Sequence, residues 1–379
     1  MPAEVAPAPT GWPAGFGIGD EERDALVVLA SLRGITPRTL HRLCWKEGGG
    51  GVGALQAIRA GRAGSDRDRA WASSARAEDI LLATVQAGAR FVSAGDPEFP
   101  QPLLQLDDPP VGLFVRGARL DVSELRVAIV GSRRCSALGR EIAEGLGRRL
   151  GAVGACVVSG AAYGIDAASH RGALDVGGRT IAVLGSGIDL GYPRSSAELI
   201  ERIAVSGTVV SEYPPGVPAE PHRFPARNRI VVGLASALVV VEGASGSGSR
   251  ISVDHALDLG REIFAIPGPV TSPLAEVPLE LIRDGATMIR GADDLLADLG
   301  HAVDVAASAD PPVELPGDEA RAWRAVLEPT LPDAVARAAQ MSIPDAVTAL
   351  IRLELRGLVR SVGGRYERTL SLPSDEPGV

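Results

Sequence analysis

The middle of the chain carries six short apolar runs that are continuous rather than alternating in polarity. Strands buried on both faces of a sheet have this pattern, because neither face meets water. Helical segments separate the runs, and one of them places Leu138, Ile142, Leu146 and Leu150 on a single stripe. This alternation predicts βαβ units and an α/β fold with a doubly wound, mostly parallel sheet. The predicted strands are 127–130, 156–158, 181–184, 208–210, 237–241 and 263–266.

Shifts in composition divide the rest of the chain around this core. Pro-, Ala- and Gly-rich stretches indicate a leader and a linker, whereas periodic apolar positions indicate folded segments. We predict a disordered leader over 1–20, a small helical domain over 21–90, the α/β domain over 91–300, a linker over 301–318, a winged-helix-like domain over 319–372 and a tail over 373–379.

The pattern near the C-terminus predicts helices followed by a hairpin. Ser342 is a suitable N-cap, Pro344 suits a first helical turn, and a turn at Gly363-Gly364 follows the last helical stripe. Helix, helix and hairpin in this order resemble a winged helix. The alternatives for three arginines of this domain are DNA contacts and a solvated surface, and many winged helices mediate protein contacts instead. These arginines are Arg352, Arg356 and Arg365.

Charge and composition limit the classes of function that this chain can have. The formal net charge of −9 argues against a generally basic nucleic-acid binder, but it allows a local basic groove on an acidic body. No apolar run approaches the ~20 residues of a membrane span, and no signal-peptide pattern is present, so we expect a cytoplasmic protein. The three cysteines are far apart and form no C-x-x-C pair, so we expect neither a zinc site nor a disulfide framework.

Small-residue loops follow the predicted strands, at the edge where doubly wound sheets bind ligands. Glycine lets the backbone approach a ligand closely, and the first amides of the next helix, with the helix dipole, favour an anion. One such loop is more often structural, whereas several at one edge predict a phosphate site. The candidates are Gly131, Ser132 and Arg133 after the first strand, Ser159 and Gly160 after the second, Gly185, Ser186 and Gly187 after the third, and Ser247, Gly248 and Ser249 after the fifth.

A second cluster joins an aromatic ring to arginines before an apolar helical segment. Arginine binds phosphate bidentately, and an exposed phenylalanine offers a base a stacking surface. Pro225 predicts the helix start, which places two arginines in the first turn, where the helix dipole does not favour them. The alternatives are a core position for the ring and ion pairs for the arginines. The candidates are Phe224, Arg227, Asn228 and Arg229.

Two familiar nucleotide motifs are absent. In Gly185-x-Gly187 the third glycine of the dinucleotide fingerprint falls on Leu190, and no G-x-x-x-x-G-K-[ST] occurs. We therefore expect no nucleotide cofactor, and a nicotinamide-dependent oxidoreductase is disfavoured.

These blocks, in this order, resemble the signature blocks of the DNA-processing protein DprA family, also called Smf. The likeness is dense over 96–300 and includes Gly131-Ser132-Arg133, Ser211 to Gly216, Phe224 to Arg229, Gly260 to Gly268 and Leu281 to Ala286. Leu32 to Leu40 resembles the helix-hairpin-helix turn of the family's N-terminal domain, with an ordinary interhelical loop as the alternative. Ser252 stands where the family usually has threonine, and 270–278 is less typical than its neighbours.

The resemblance implies a protein with a Rossmann-like α/β core that binds single-stranded DNA. It also implies that the protein forms a homodimer and loads the recombinase RecA onto incoming strands in natural transformation, without catalysis. It also implies that Arg133 and the serine loops line the phosphate pocket, with Arg227 and Arg229 beside it.

The alternative is an enzyme that cleaves nucleoside monophosphates on a related fold. Such enzymes use a glutamate after a glycine-rich stretch, and no glutamate follows Glu242 to Arg250 at that spacing. Asp166, Glu212, His170 and His222 are available acids or bases, but no nucleophile–base pair is evident. Asp166 fits better as a carboxylate that orients its loop.

Overall fold

The computed structural model describes residues 11–46, 50–120, 124–301, 315–327 and 329–368. Two compact units make up the chain, Met1–Arg290 and Gly291–Val379. The first half of the predicted leader, most of the predicted linker and the predicted tail lie outside the described residues. Among the described helices, none is long and apolar enough to cross a membrane.

Five helices open the first unit: α1 (Asp20–Ala30), α2 (Pro37–Lys46), α3 (Gly51–Arg59), α4 (Asp66–Ser74) and α5 (Ala77–Gln86). Residues 11–19, which the sequence assigned to the leader, pack onto this group. The ring of Trp12 stacks on Phe16 with 4.0 Å between centroids, and His41 Nε2 lies 2.6 Å from the carbonyl oxygen of Gly11.

The turn between α1 and α2 carries the helix-hairpin-helix resemblance. The amide of Gly34 in this turn donates to Asp68 Oδ1 over 2.8 Å. A Cβ on Gly34 would lie 2.4 Å from the other oxygen of that carboxylate, so the close approach requires glycine. This amide therefore holds α4 in place and is not available to a phosphate.

A nine-stranded sheet forms the core of the first unit. Its order is β1-β2-β6-β5-β4-β3-β7-β8-β9. The strands are β1 (Ala89–Ser93), β2 (Gly112–Gly117), β3 (Arg126–Val130), β4 (Cys156–Ser159), β5 (Thr180–Leu184), β6 (Thr208–Ser211), β7 (Ala237–Val240), β8 (Glu262–Ala265) and β9 (Thr287–Met288). The remaining helices of this unit are α6 (Ala137–Ala152), α7 (Ile165–Asp175), α8 (Ala197–Ser206), α9 (Arg223–Gly233), α10 (Ser249–Asp258) and α11 (Glu276–Arg283).

The prediction of a doubly wound, mostly parallel sheet is confirmed. The six predicted runs form the parallel strands β3 to β8, and every residue of β3, β4, β5, β6 and β7 is buried. From β3 the chain winds outward through β4 and β5 to β6, then returns to place β7 on the other side of β3. Right-handed crossovers that run in opposite directions put their helices on opposite faces. The switch of direction therefore lies between β3 and β7.

Three strands were not predicted. Strands β1 and β2 add an antiparallel edge beside β6, and β9 adds a two-residue parallel edge beside β8. Arg90 interrupts the apolar run of β1, and Arg116 ends that of β2; the two arginines form ion pairs with Glu98 and Glu201. The Phe91 and Phe114 rings, paired across β1 and β2, bury this edge against the core.

The second unit contains α12 (Ala292–Asp298), α13 (Gly317–Ala325), α14 (Pro332–Ala338), α15 (Ile343–Leu355), β10 (Val359–Val362) and β11 (Arg365–Arg368). Trp323, Leu350 and Leu353 belong to its core, and Ser342 caps α15 as predicted. The predicted winged-helix architecture is confirmed. Of its three candidate arginines, Arg352 and Arg356 lie 3.9 and 3.4 Å from the buried carboxylate of Glu319, and Arg365 donates to the carbonyl oxygen of Pro329.

Candidate functional site

A cleft of about 510 Å³ opens at the carboxyl ends of β3 and β7, where the winding direction of the sheet reverses. Adjacent loops diverge at such a point and leave room for a ligand. Eight of the predicted binding residues line this cleft: Gly131, Ser132, Arg133, Arg227, Asn228, Ser247, Gly248 and Ser249. The other lining residues are Val130, Arg134, Ala162, Asp166, Ala244, Ser252 and Leu274.

Two glycines allow the loop after β3 to pass close to its neighbours. A Cβ on Gly131 would lie 2.7 Å from Ile165 Cγ1 and 2.9 Å from the carbonyl oxygen of Glu242. Gly164, the N-cap of α7, has φ 78°, and a Cβ there would lie 2.2 Å from the carbonyl oxygen of Ser132. Both positions require glycine, because contacts this short exclude a side chain. They hold Ser132 and Arg133 at the mouth of the cleft.

Two of the three arginines that line the cleft, Arg133 and Arg227, differ in burial. Arg133 is exposed, and its guanidinium lies 5.2 Å from the centre of the Phe224 ring, in cation–π contact. Arg227 is 4% exposed and donates to the carbonyl oxygen of Val183. Burial, together with repulsion from Arg133, lowers the pKa of Arg227 to about 10, while the nearby Asp166 opposes this shift. Arg227 therefore stays charged at neutral pH and gives the cleft a fixed cation.

Gly160 makes room for Arg227. A Cβ at Gly160 would lie 2.1 Å from Arg227 Nη1, so the guanidinium rests directly on the glycine backbone. Arg227 Nε has no hydrogen-bond partner within the described part of the chain. A buried unpaired donor is costly, and an anionic oxygen is a suitable partner for it.

Asp166 orders the loop after β4. Its Oδ2 accepts the amides of Gly160 and Ala162 at 3.2 and 3.4 Å. Burial raises the pKa of Asp166, and Arg227 and the two amides work against that rise. This agrees with the prediction that Asp166 orients its loop.

The start of α10 supplies donors from the far side of the cleft. Gly248 is the N-cap of α10, and no side chain of this residue caps the helix. The first amides of a helix have no hydrogen-bond partner within the helix. The hydroxyls of Ser247 and Ser249 bond to each other, and Asn228 Nδ2 donates to the carbonyl oxygen of Gly248 over 3.3 Å. This helix end therefore presents hydroxyls and amides of the kind that bind anions.

The start of α6 is different, although its loop also borders the cleft. Ser136 caps this helix, and the Glu242 carboxylate accepts both the amide and the hydroxyl of Ser136, at 2.8 and 2.5 Å. An acidic side chain thus occupies the position at which we expected a ligand anion. These hydrogen bonds join the loop after β7 to the loop after β3. The N-terminus of α6 therefore has a structural role and does not bind a ligand anion.

Phe224 lies beside the cleft rather than in the core. Its ring is half-buried and lies 5.4 Å from the ring of Tyr192, which follows β5. A Cβ on Gly185 would lie 2.9 Å from Phe224 Cδ1, so the glycine seats the ring. With Arg133 above it, Phe224 forms part of an aromatic surface next to the cationic cleft.

Four of the predicted binding residues are buried or engaged elsewhere. Ser159 is fully buried and donates to the carbonyl oxygen of Ile129, and Ser186 donates to that of Leu190. Gly187 packs against the loop after β6. Arg229 is 2% exposed and pairs with Glu212 and Asp108, at 2.5 and 3.4 Å. Their contacts hold the sheet edge together and leave these side chains unavailable to a ligand in the cleft.

One local expectation is wrong: helix α9 starts at Arg223 rather than at Pro225, so Arg227 and Arg229 lie beyond its first turn. Arg250, which follows Ser249 in α10, pairs with Glu280 at 2.8 Å and does not line the cleft. Residues that sequence reasoning missed are Leu274, which a later loop brings to the cleft, and the aromatic partner Tyr192.

A doubly wound sheet with an arginine- and serine-lined cleft at its switch point, followed by a winged-helix unit, defines an α/β protein of modular build whose cleft has the chemistry of an anion site. Residues 90–300 match the family DNA recombination-mediator protein A, and residues 306–365 match the DprA winged helix domain. The chain belongs to the DprA (Smf) family.

Relatives and solved structures agree with this assignment. Protein Smf of Escherichia coli (strain K12) is 36% identical over 301 residues, which are 77% of this chain and 80% of that protein. The X-ray structure of DprA from Streptococcus pneumoniae has a TM-score of 0.53 at 33% identity, covering 70% of this chain and 99% of that one. A structure of DNA processing protein A from Helicobacter pylori, described for its single-stranded DNA binding mode, has a TM-score of 0.51 at 28% identity. It covers 56% of this chain and 97% of that one.

Proposed function

We propose that this chain is a single-stranded DNA-binding protein that holds the DNA backbone in the cleft between β3 and β7. The observation that carries the proposal is the convergence of Arg133, Arg227 and the Ser247–Ser249 loop around that cleft, beside an exposed aromatic surface. Family membership and the single-stranded DNA binding mode described for the Helicobacter pylori protein support the choice of DNA among phosphate-bearing ligands.

Each group has a distinct part in this proposal. Arg227, already desolvated and charged, provides a fixed donor at low entropic cost, because its side chain is ordered before the ligand arrives. Arg133 and the hydroxyls of Ser247 and Ser249 add charge-assisted and neutral bonds to phosphate oxygens. Phe224 and Tyr192 stack an unpaired base next to the bound phosphate. A duplex keeps its bases stacked inside, so this arrangement favours a single strand.

We further propose that the chain is not an enzyme. Asp166 is the one carboxylate among the described residues lining the cleft, and two backbone amides already engage its Oδ2. Glu212 pairs with Arg229, and His170 is fully buried against Thr180. Incubation with a panel of nucleoside monophosphates should release no base, whereas release at catalytic rates would support the nucleotide-processing alternative.

We propose the cellular role of the protein from its family membership. The protein acts in the cytoplasm as a homodimer, protects incoming single strands in natural transformation, and loads RecA onto them. The family description as a recombination mediator supports this role. Addition of the protein to DNA coated with single-strand-binding protein should restore RecA-driven strand exchange. No stimulation at any protein concentration would contradict the loading role.

The aromatic surface gives a separate prediction. Replacement of Phe224 with leucine keeps an apolar side chain under Arg133 but removes the stacking face. We expect single-strand affinity to fall by about 5- to 100-fold, the range of one lost base–aromatic stack. The dependence of affinity on salt should stay the same, because no charge is lost. Fluorescence anisotropy with a labelled oligothymidylate measures both quantities, and Phe224→Tyr, which retains the stacking face, is the matched control.

A further inference from the structure

Helix α15 of the second unit is apolar on its outer face as well as on its inner face. Four residues of the inner face are buried in the core of this unit: Ala346, Ala349, Leu350 and Leu353. On the opposite side Val347, Ile351 and Leu355 recur every four residues and form one stripe, the outer stripe. Val347 is half-buried, whereas Ile351 is 46% and Leu355 83% exposed. A helix that is apolar on both faces is normally covered on both, so the outer stripe is a candidate contact surface.

The outer stripe does not suit the base edges of a duplex. In a helix-turn-helix arrangement the second helix reads the major groove, and α15 is the second helix of the pair α14–α15. Such a helix presents hydrogen-bonding side chains to the base edges. Valine, isoleucine and leucine side chains supply no hydrogen bonds. The centre of this face therefore fits an apolar protein surface.

Opposite charges lie at the two ends of one flank of the outer stripe. At 100° per residue, Asp345 in the first turn shares this flank with Arg352 and Arg356 at the C-terminal end. The two guanidinium groups lie 3.9 and 3.4 Å from the buried carboxylate of Glu319. The carboxylate of Glu354 lies on the other flank, where it accepts a backbone amide of β10. Two cations thus share one anion, which leaves positive charge at the C-terminal end and negative charge at the N-terminal end.

We propose that α15 pairs with α15 of a second copy of this chain, antiparallel and across a two-fold axis at Ile351. This arrangement places Val347 against Leu355 of the second copy, and Ile351 against its own equivalent. It also places Asp345 beside Arg356 of the second copy, twice in the pair. A parallel pair would set like charges side by side, so the charges select the antiparallel one. The helix dipoles favour the same orientation, and the surface is self-complementary, as a two-fold interface requires.

The size of this contact determines where it acts. A single pair of helices buries less than the ~1,200 Å² of a stable complex, so two free copies associate weakly through it. The contact becomes effective when copies are held close together, because the local concentration is then high. It needs neither the cleft nor DNA, and it goes beyond the proposed function by assigning a self-association surface to the winged-helix unit.

Disulfide formation in the full chain tests the pairing and its orientation. The background is Cys135→Ser, because Cys44 and Cys156 are buried. An oxidised mixture of Val347→Cys and Leu355→Cys chains should form cross-linked dimers. Each variant alone should do so at least about tenfold more slowly, since its two cysteines would lie ~12 Å apart along the helix axis, too far for a disulfide. Equal cross-linking of Val347→Cys alone would contradict the antiparallel pair, and no cross-linking in the mixture would overturn the proposal.

Sedimentation velocity over a range of concentrations provides a second test without cysteines. Leu355→Glu puts a charge on the outer stripe and should lower the association constant at least about tenfold. Leu327→Glu is the matched control, because Leu327 is 81% exposed but lies outside α15, and it should change that constant by about twofold at most. Equal association of wild type and Leu355→Glu, or equal losses in the two variants, would overturn the proposal. Both experiments are run without DNA, so their outcome is independent of the cleft.

Discussion

Replacement of Arg133 with alanine should weaken binding of single-stranded DNA by about 10- to 100-fold, the cost of one lost charge-assisted phosphate contact. Arg133 is exposed at the mouth of the cleft and is ordered by its contact with the Phe224 ring, so its removal leaves the core untouched. The slope of log affinity against log salt should also decrease in magnitude by about 0.7, since one fewer phosphate is neutralised.

Arg250→Ala is the matched control for this experiment. Arg250 is an arginine of the serine-rich loop, but it pairs with Glu280 and does not line the cleft. Its removal takes away the same charge from the same region. A salt titration of wild type and both variants should therefore show a changed slope for Arg133→Ala alone. Equal losses of DNA affinity and of salt slope in the two variants would mean that the net charge of the protein, and not the cleft, governs binding.

Replacement of Gly164 with alanine should disrupt the cleft itself. The residue has φ 78°, ψ −124°, a conformation that side chains rarely adopt, and an added Cβ would lie 2.2 Å from the carbonyl oxygen of Ser132. We expect a loss of about 2–4 kcal/mol in the free energy of unfolding, the sum of backbone strain and the clash. Relief of the clash must move the loop that carries Ser132 and Arg133, so DNA affinity should fall as well.

Gly177→Ala separates strain from the clash. Gly177 lies just beyond the other end of the same helix with φ 67°, and nothing lies within 4 Å of the position of its Cβ. This substitution should lower the free energy of unfolding only by the strain of a left-handed residue, about 1–2 kcal/mol. DNA affinity should not change. Urea unfolding followed by circular dichroism, together with anisotropy, compares the two variants. Equal stability and equal affinity would show that the contact between Gly164 and Ser132 is unimportant.

Much of the fold could be predicted from the sequence because its dominant signal is local. Six continuous apolar runs separated by helical stripes indicate buried parallel strands, and all six are strands in the structure. Strand β1 was missed because Arg90 interrupts its short apolar run. Its pairing with β2 depends on the long connection 94–111 and not on a two-residue hairpin turn, which would have been visible in the sequence.

The candidate site was predicted less completely, for a different reason. A glycine or serine after a strand is equally consistent with a ligand contact and with close packing. Gly131 and Ser249 line the cleft, whereas Ser159 and Ser186 satisfy carbonyl oxygens of their own loops and strands. The orientation of a side chain depends on partners distant in sequence, as Arg229 shows by pairing with Asp108 and Glu212.

The acidic net charge of −9 is compatible with this site because its cations are local. Three arginines, Arg133, Arg134 and Arg227, line the cleft against the single carboxylate of Asp166 among the described residues. A field of this kind acts over roughly the Debye length, about 10 Å at 0.1 M salt, so the acidic body beyond it is largely screened.

The most direct test of the central claim is the affinity of the full chain for a single strand and for a duplex of the same sequence, each at about 50 and about 200 mM salt. If the cleft binds backbone phosphates while Phe224 and Tyr192 stack an unpaired base, the single strand should bind at least about tenfold more tightly at both salt levels. Both affinities should fall as salt rises. Equal affinity for the two forms, or tighter binding of the duplex, would contradict the account.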